Sequence, residues 1–287
     1  MPSIAANGIT IEYETMGDPA DPPMLLVHGL SGQLIDWDLE LLARVAGRGY
    51  YLIRFDNRDV GLSTKMEAAP TPDYGAIRGG DFSSAPYLVG DMAADAAGLL
   101  AALGIDAAHV VGVSMGGMIS QQLAIDFPDR VLSLCSIMSN TGDGKNGMPH
   151  PEAIEILLTP PPSTREQYVE HEVEVWKVIG SPGFAFDEPK VRARAAADFD
   201  RCFCPQGGAR QLAAILSSPD RTPGLAGVHV PALVIHGAAD VLIDPSGGEA
   251  TAAAIPGATH MVIDGMGHNL PPEVWDRVVD AIMKNAS

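Results

Sequence analysis

The pentapeptide GVSMG at residues 112–116 places Ser114 between two glycines. A continuous apolar run at 109–113 precedes the serine, as in a buried strand, and a helix pattern follows from residue 115. A serine on a tight turn between a strand and a helix projects its hydroxyl, and side chains at the two glycine positions would crowd that turn. The pentapeptide and its setting therefore predict a nucleophile at Ser114 rather than an ordinary glycine-rich turn.

The residue types that could activate this serine stand late in the chain. A serine hydroxyl is a poor nucleophile unless a base lies beside it. His268 follows the apolar run 261–263 in a glycine-rich loop, and Asp240 follows the run 232–235. Active sites of open α/β sheets lie at the carboxyl ends of the strands. We therefore predict His268 as the base and Asp240 as the acid that orients it, with Asp244 as the alternative acid.

Two backbone N–H groups are candidates for an oxyanion hole. The negative charge that develops on a carbonyl oxygen under attack needs fixed hydrogen-bond donors. The N–H of Met115, at the start of a helix, can supply one of them. The second is expected from the loop HGLSG at 28–32, where we predict the N–H of Leu30.

The elements that must position these residues alternate along the chain. Apolar runs typical of buried strands alternate with helix patterns, and this alternation predicts a doubly wound α/β domain with a mostly parallel sheet. The alternation stops between residues 140 and 225, where helix patterns occur at 164–179, 188–201 and 207–217 and no strand pattern is present. We therefore predict a core of residues 1–139 and 226–287, with residues 140–225 inserted as a helical cap.

Composition excludes several classes of partner. The chain has 36 acidic and 18 basic residues, a net charge of −18, which repels nucleic acid and anionic lipid. It contains neither a signal-peptide pattern nor an apolar run long enough to span a membrane. The three cysteines form no disulfide framework, and Cys202 and Cys204 lack the further ligands of a zinc site. We therefore expect a cytoplasmic protein without metal or cofactor; its oligomeric state is not predicted.

Five motifs, in order, resemble those of the α/β-hydrolase superfamily. They are HG at 28–29, DNRDVGLS at 56–63, GVSMGG at 112–117, HGAAD at 236–240 and GMGH at 265–268. The segment at 58–59 is similar to that of aclacinomycin methylesterases. The resemblance implies an eight-stranded, mostly parallel sheet, a helical cap after the sixth strand, and a triad in the order serine, aspartate, histidine. Dehalogenases and typical epoxide hydrolases of this fold have an aspartate where this chain has Ser114.

The function expected from these residues is hydrolysis through a serine nucleophile. The first candidate is a carboxylic ester hydrolase that forms an acyl-enzyme on small-molecule esters, neutral and largely apolar, with Trp176 of the predicted cap in the pocket wall. A carbon–carbon bond hydrolase or a cofactor-free perhydrolase would use the same triad. A non-catalytic protein that binds small molecules on a hydrolase scaffold is the alternative from another class.

Overall fold

Eight β-strands form a single sheet. The computed structural model describes residues 2–287 except for the Leu157 side chain; Met1 lies outside the described residues. The strands are Ser3–Ala6 (β1), Ile9–Met16 (β2), Pro23–Val27 (β3), Tyr51–Phe55 (β4), Ala108–Val113 (β5), Val131–Ile137 (β6), Ala232–Gly237 (β7) and Thr259–Ile263 (β8). Across the sheet the strands lie in the order β1-β2-β4-β3-β5-β6-β7-β8. The pairs β1·β2 and β2·β4 are antiparallel and all the others are parallel. The prediction of an eight-stranded, mostly parallel sheet is confirmed.

Helices connect the strands and cover the sheet. They are Leu39–Ala46 (α1), Tyr74–Arg78 (α2), Val89–Ala102 (α3), Met115–Asp126 (α4), Pro151–Leu158 (α5), Arg165–Ile179 (α6), Glu188–Arg201 (α7), Pro205–Ser217 (α8), Thr222–Leu225 (α9), Ser246–Ala254 (α10) and Trp275–Asn285 (α11). Across residues 2–287, the helices lack the combination of length and apolar character that crossing a bilayer requires.

The apolar strands are buried on both faces, and this explains their continuous hydrophobic runs. In β3, the side chains of Leu25 and Val27 join a core with helices α3 and α4, whereas those of Met24 and Leu26 join a core with α1 and α11. Successive side chains of a strand point to opposite faces, so both positions of the repeat must be apolar when helices cover both faces. The two helix layers hold the carboxyl ends of the parallel strands at one edge of the sheet.

The chain between β6 and β7 forms the helices α5 to α9. The helix patterns at 164–179, 188–201 and 207–217 correspond to α6, α7 and α8. Helices α6 and α7 pack against each other, and α8 packs against α2 of the core. We refer to α5–α9 below as the helical insertion.

Candidate active site

Ser114 lies on a strained turn at the carboxyl end of β5. Its backbone has φ 56° and ψ −122°, a left-handed conformation that is unfavourable for serine. A Cβ atom at Gly112 would overlap the carbonyl oxygen of Gly116, and one at Gly116 would overlap that of Val27. Both glycines are therefore required for the close approach of helix α4 to the strands, and this approach projects the Ser114 hydroxyl.

The three residues predicted from separate parts of the sequence meet in one hydrogen-bonded chain. The Nε2 atom of His268 is 2.9 Å from Ser114 Oγ, and its Nδ1 atom is 2.7 Å from Asp240 Oδ2. Asp240 and His268 are buried, with 1% and 6% of their surfaces exposed. In this geometry an imidazole can accept the hydroxyl proton while the carboxylate fixes the ring.

Asp240 is held as a carboxylate by the groups around it. Its Oδ1 atom accepts hydrogen bonds from the backbone N–H groups of Leu242 and Ile243, at 2.9 and 3.0 Å. His236 Nε2 lies 3.5 Å from Oδ2, on a fully buried ring. Burial raises the pKa of this carboxyl, but the neighbouring imidazoles of His268 and His236 and the backbone N–H of Ile243 outweigh it, so that the pKa lies well below the usual range.

Asp244, the alternative acid, contacts a different histidine. Its Oδ1 atom accepts hydrogen bonds from the backbone N–H and hydroxyl of Ser246. Its Oδ2 atom lies 3.3 Å from Nε2 of His150. The side chain is about one-third exposed, at 36%. Of the two aspartates, Asp240 is the one that contacts His268.

The family model for the alpha/beta hydrolase fold matches residues 22–180 of the chain. The chain belongs to the α/β-hydrolase superfamily. Ser114 and the whole of β3 to β6 lie within the matched residues.

Relatives of this hydrolase cover nearly its whole length. It is 31% identical to rhodomycin D methylesterase DauP of Streptomyces sp. (strain C5), across 97% of this chain and 95% of that protein. It is 26% identical to 3-oxoadipate enol-lactonase 2 of Acinetobacter baylyi, across 98% of this chain and 96% of that one. The enol-lactonase structure from Burkholderia xenovorans LB400 superposes with a TM-score of 0.76 at 23% identity, covering 99% of both chains, and so shares the fold.

The loop after β3, which carries the second predicted oxyanion donor, passes beside the serine. A Cβ atom at Gly29 would lie 3.1 Å from Ser114 Cβ, so the hydrolase backbone passes close to the serine just before Leu30. Within the described residues, the N–H groups of Leu30 and Met115 donate to no protein acceptor. Their role as oxyanion donors stays a prediction.

Ion pairs fasten the helical insertion to the loops of the core. In each pair the cation belongs to α7 or α8 and the carboxylate to a core residue between 36 and 59. The pairs are Lys190 with Asp38, Arg194 with Asp36 (3.7 Å), Arg201 with Asp56 (2.8 Å) and Arg210 with Asp59 (2.7 Å). The last two pairs are buried, with side-chain exposures of 10% or less, so the insertion is docked on the core rather than tethered only at its ends.

A cleft lies between the insertion and Ser31, in the loop that follows β3. We refer to residues 28–33 of this loop below as the oxyanion loop, after the predicted donor Leu30. Neutral side chains line it, most of them apolar: Val60, Pro161, Tyr168, Phe199 and Phe203 beside Ser31. Cys202 and Cys204 also line it as free thiols. Among residues 2–287, no cluster of three or more histidine, cysteine or acidic side chains could hold a metal ion.

Trp176, the predicted pocket residue, lies elsewhere on the insertion. Its ring packs on the small apolar cluster of Val175 and Ile179, and the Arg194 guanidinium carbon lies 4.5 Å from the ring centroid. It is not among the residues that line the cleft at Ser31. Its contact with substrate stays a prediction.

Proposed function

We propose that this hydrolase cleaves carboxylic esters, with Ser114 as nucleophile, His268 as base and Asp240 as the acid that orients the imidazole. The observation that carries the proposal is the hydrogen-bonded chain from Ser114 Oγ to the Asp240 carboxylate. Ser114 Oγ attacks the ester carbonyl carbon as its proton passes to His268 Nε2. The N–H groups of Leu30 and Met115 stabilise the oxyanion.

Collapse of the tetrahedral intermediate then expels the alcohol, which takes the proton back from His268. Water attacks the resulting acyl-enzyme by the same route and releases the acid and free Ser114. A lactone is a cyclic ester, so one mechanism accommodates both the methylesterase and the enol-lactonase among the relatives.

The proposed substrates are neutral, largely apolar esters, and residues 140–225 act as the cap over the site. The cleft reaches Ser31, next to the proposed donor Leu30, and its neutral, mostly apolar lining supports this. Five of the six arginines of the insertion support it too, because each already has a carboxylate partner instead of facing an anionic ligand. These partners are Asp200 for Arg165, Glu170 and Glu188 for Arg192, Asp36 for Arg194, Asp56 for Arg201 and Asp59 for Arg210. The sixth, Arg221, is buried and donates to Gln121 Oε1 and to the carbonyl oxygen of Asn140.

The proposal is tested first by labelling with a fluorophosphonate and intact-protein mass spectrometry. The wild type should gain one phosphonyl group and lose esterase activity, whereas Ser114→Ala should neither label nor turn over beyond the roughly 10³–10⁴-fold residual catalysis over water. Ser83→Ala, which changes an exposed loop serine, is the matched control and should behave as wild type. Unimpaired ester hydrolysis by Ser114→Ala would refute the proposed nucleophile.

The substrate part of the proposal needs a separate comparison. p-Nitrophenyl butyrate and the matching p-nitrophenyl hemisuccinate differ mainly by a carboxylate. At low salt, kcat/KM should be higher for the butyrate, because the acidic protein repels the anion. A preference for the hemisuccinate would overturn the substrate class and leave the role of Ser114 intact.

A further inference from the structure

Helix α8 of the insertion contacts the oxyanion loop through the buried side chain of Gln211. The Ser31 N–H donates a hydrogen bond of 2.8 Å to Oε1 of Gln211, whose side chain is fully buried. Ser31 directly follows Leu30 and has φ 59°, a left-handed conformation that is costly for serine. The loop therefore depends on outside contacts to keep its shape next to the proposed oxyanion donor.

The other end of the Gln211 carboxamide is also fixed. Its Nε2 atom donates a hydrogen bond of 2.8 Å to the carbonyl oxygen of Arg58. Because a backbone N–H requires the amide oxygen and a carbonyl requires the amide nitrogen, the two partners determine which way the amide faces. Arg58 is itself anchored by two hydrogen bonds to Asp95, at 2.6 and 2.7 Å, so the carboxamide rests on a rigid part of the core.

Two glycines bring α8 close enough for this contact. A Cβ atom at Gly208 would overlap the Ser31 hydroxyl oxygen, and one at Gly207 would overlap the carbonyl oxygen of Asp59. Residues three and four apart share one face of a helix, so Gln211 lies on the same face as both glycines. This face of the helix therefore packs directly against the loop.

The far end of the loop is held by the insertion as well. The Gln33 side chain donates to the carbonyl oxygens of Asp198 and Cys202, at 2.8 and 3.2 Å, and accepts from Arg201 at 2.7 Å. The insertion thus forms hydrogen bonds with the loop at both Ser31 and Gln33. Gln211 makes the contact nearer to Leu30.

We propose that Gln211 is a positioning residue that couples docking of the insertion to the shape of the oxyanion hole. The inference rests on the proposed function, since it concerns the donor that Leu30 supplies to the transition state. Gln211 acts through the loop and does not touch the substrate. Its loss should lower kcat much more than it raises KM, because an oxyanion donor is worth more in the transition state than in the ground state.

The test compares Gln211→Met with Gln211→Glu. Methionine has a similar size and makes neither hydrogen bond, and a misplacement near 1 Å costs about 10²-fold in rate. We expect kcat of the methionine variant to fall roughly 10–100-fold, with KM within about threefold of wild type. Glutamate keeps the acceptor for Ser31 and should restore part of kcat. Gln206→Met, an exposed change on the same helix, is the control and should match wild type.

A second readout separates positioning from general damage. Affinity for a trifluoromethyl ketone that forms a hemiketal at Ser114 should weaken in parallel with kcat in Gln211→Met, whereas affinity for the carboxylic acid product should not change. If the methionine variant does not fold, Gln211→Asn, whose shorter amide cannot reach both partners, takes its place.

Three results would be decisive. A methionine or asparagine variant with wild-type kcat, measured where Ser114→Ala is inactive, overturns the inference and leaves the proposed function standing. A raised KM with unchanged kcat also overturns it, since Gln211 would then act on substrate binding. Activity in Ser114→Ala would instead refute the proposed function itself.

Discussion

Replacing Asp240 by asparagine exchanges one carboxylate oxygen for an NH₂ group and should favour the wrong tautomer of His268. The Oδ1 atom of Asp240 accepts hydrogen bonds from the N–H groups of Leu242 and Ile243. In Asp240→Asn only the amide oxygen can occupy that position. The NH₂ group must therefore face Nδ1 of His268, where the wild type presents a carboxylate oxygen at 2.7 Å.

This amide orientation selects the wrong tautomer of the imidazole. With an NH₂ donor opposite Nδ1, that nitrogen must accept, and the ring proton moves to Nε2. Nε2 faces Ser114 Oγ at 2.9 Å and can then no longer accept the hydroxyl proton. The expected loss is about 10⁴-fold in kcat, which is about 5.4 kcal/mol at 1.36 kcal/mol per tenfold. The KM should change little, since Asp240 is buried behind the histidine.

The matched comparison is Asp244→Asn, the same change four residues later. Asp244 contacts Ser246 and His150, so its loss should cost less than about tenfold in kcat. Both variants are assayed with p-nitrophenyl butyrate after circular dichroism has shown that they are folded. The reasoning is refuted if Asp240→Asn keeps kcat within tenfold of wild type, or if Asp244→Asn is the more damaged variant.

Two further predictions concern stability. Burial and the neighbouring Asp36 carboxylate raise the pKa of Asp198, so the folded protein binds a proton there that the unfolded chain releases; its stability should therefore fall as pH rises above about 4. Asp198→Asn should show a higher Tm than wild type at pH 8 and a similar Tm near pH 4. A Tm difference between variant and wild type that stays constant from pH 4 to pH 8 would contradict the prediction. Asp59→Asn leaves Arg210 buried without its countercharge, which should cost about 3–5 kcal/mol and lower Tm by roughly 10 °C. The exposed change Asp280→Asn, which breaks a surface pair with Arg48, should cost at most about 1 kcal/mol, and equal Tm losses in the two variants would show that burial of the Asp59 pair does not matter.

The strands of the parallel sheet were predictable because burial on both faces requires a continuous run of apolar residues, which is visible in the sequence. The run at 109–113 corresponds to β5, and the run at 232–235 to β7. Strand β1, Ser3–Ala6, was not predicted: it has four residues, of which only Ala6 is buried, and its structure comes from antiparallel pairing with β2. Helix α1 was also missed, although Leu41, Leu42 and Val45 form its buried face.

The residues of the candidate site, too, were predictable only where they follow an apolar strand. Ser114, Asp240 and His268 each follow an apolar strand, so a local pattern indicated their position at the edge of the sheet. Gln211 carries no such pattern, and its partner Ser31 is 180 residues away in the sequence. Contacts of this kind depend on how the insertion packs on the core, and local sequence patterns do not indicate that packing.

The buried ion pairs also limit how this protein can be recombined with its relatives. Arg201 and Arg210 are separated in sequence from their carboxylates by 145 and 151 residues. If residues 140–225 of this protein were replaced by those of a relative, both arginines would be removed. Asp56 and Asp59, whose side chains are fully buried, would lose these partners. A chimera whose incoming helices lack cations at the positions of Arg201 and Arg210 must therefore exchange the segment 36–59 as well, although the two pieces are far apart in the gene.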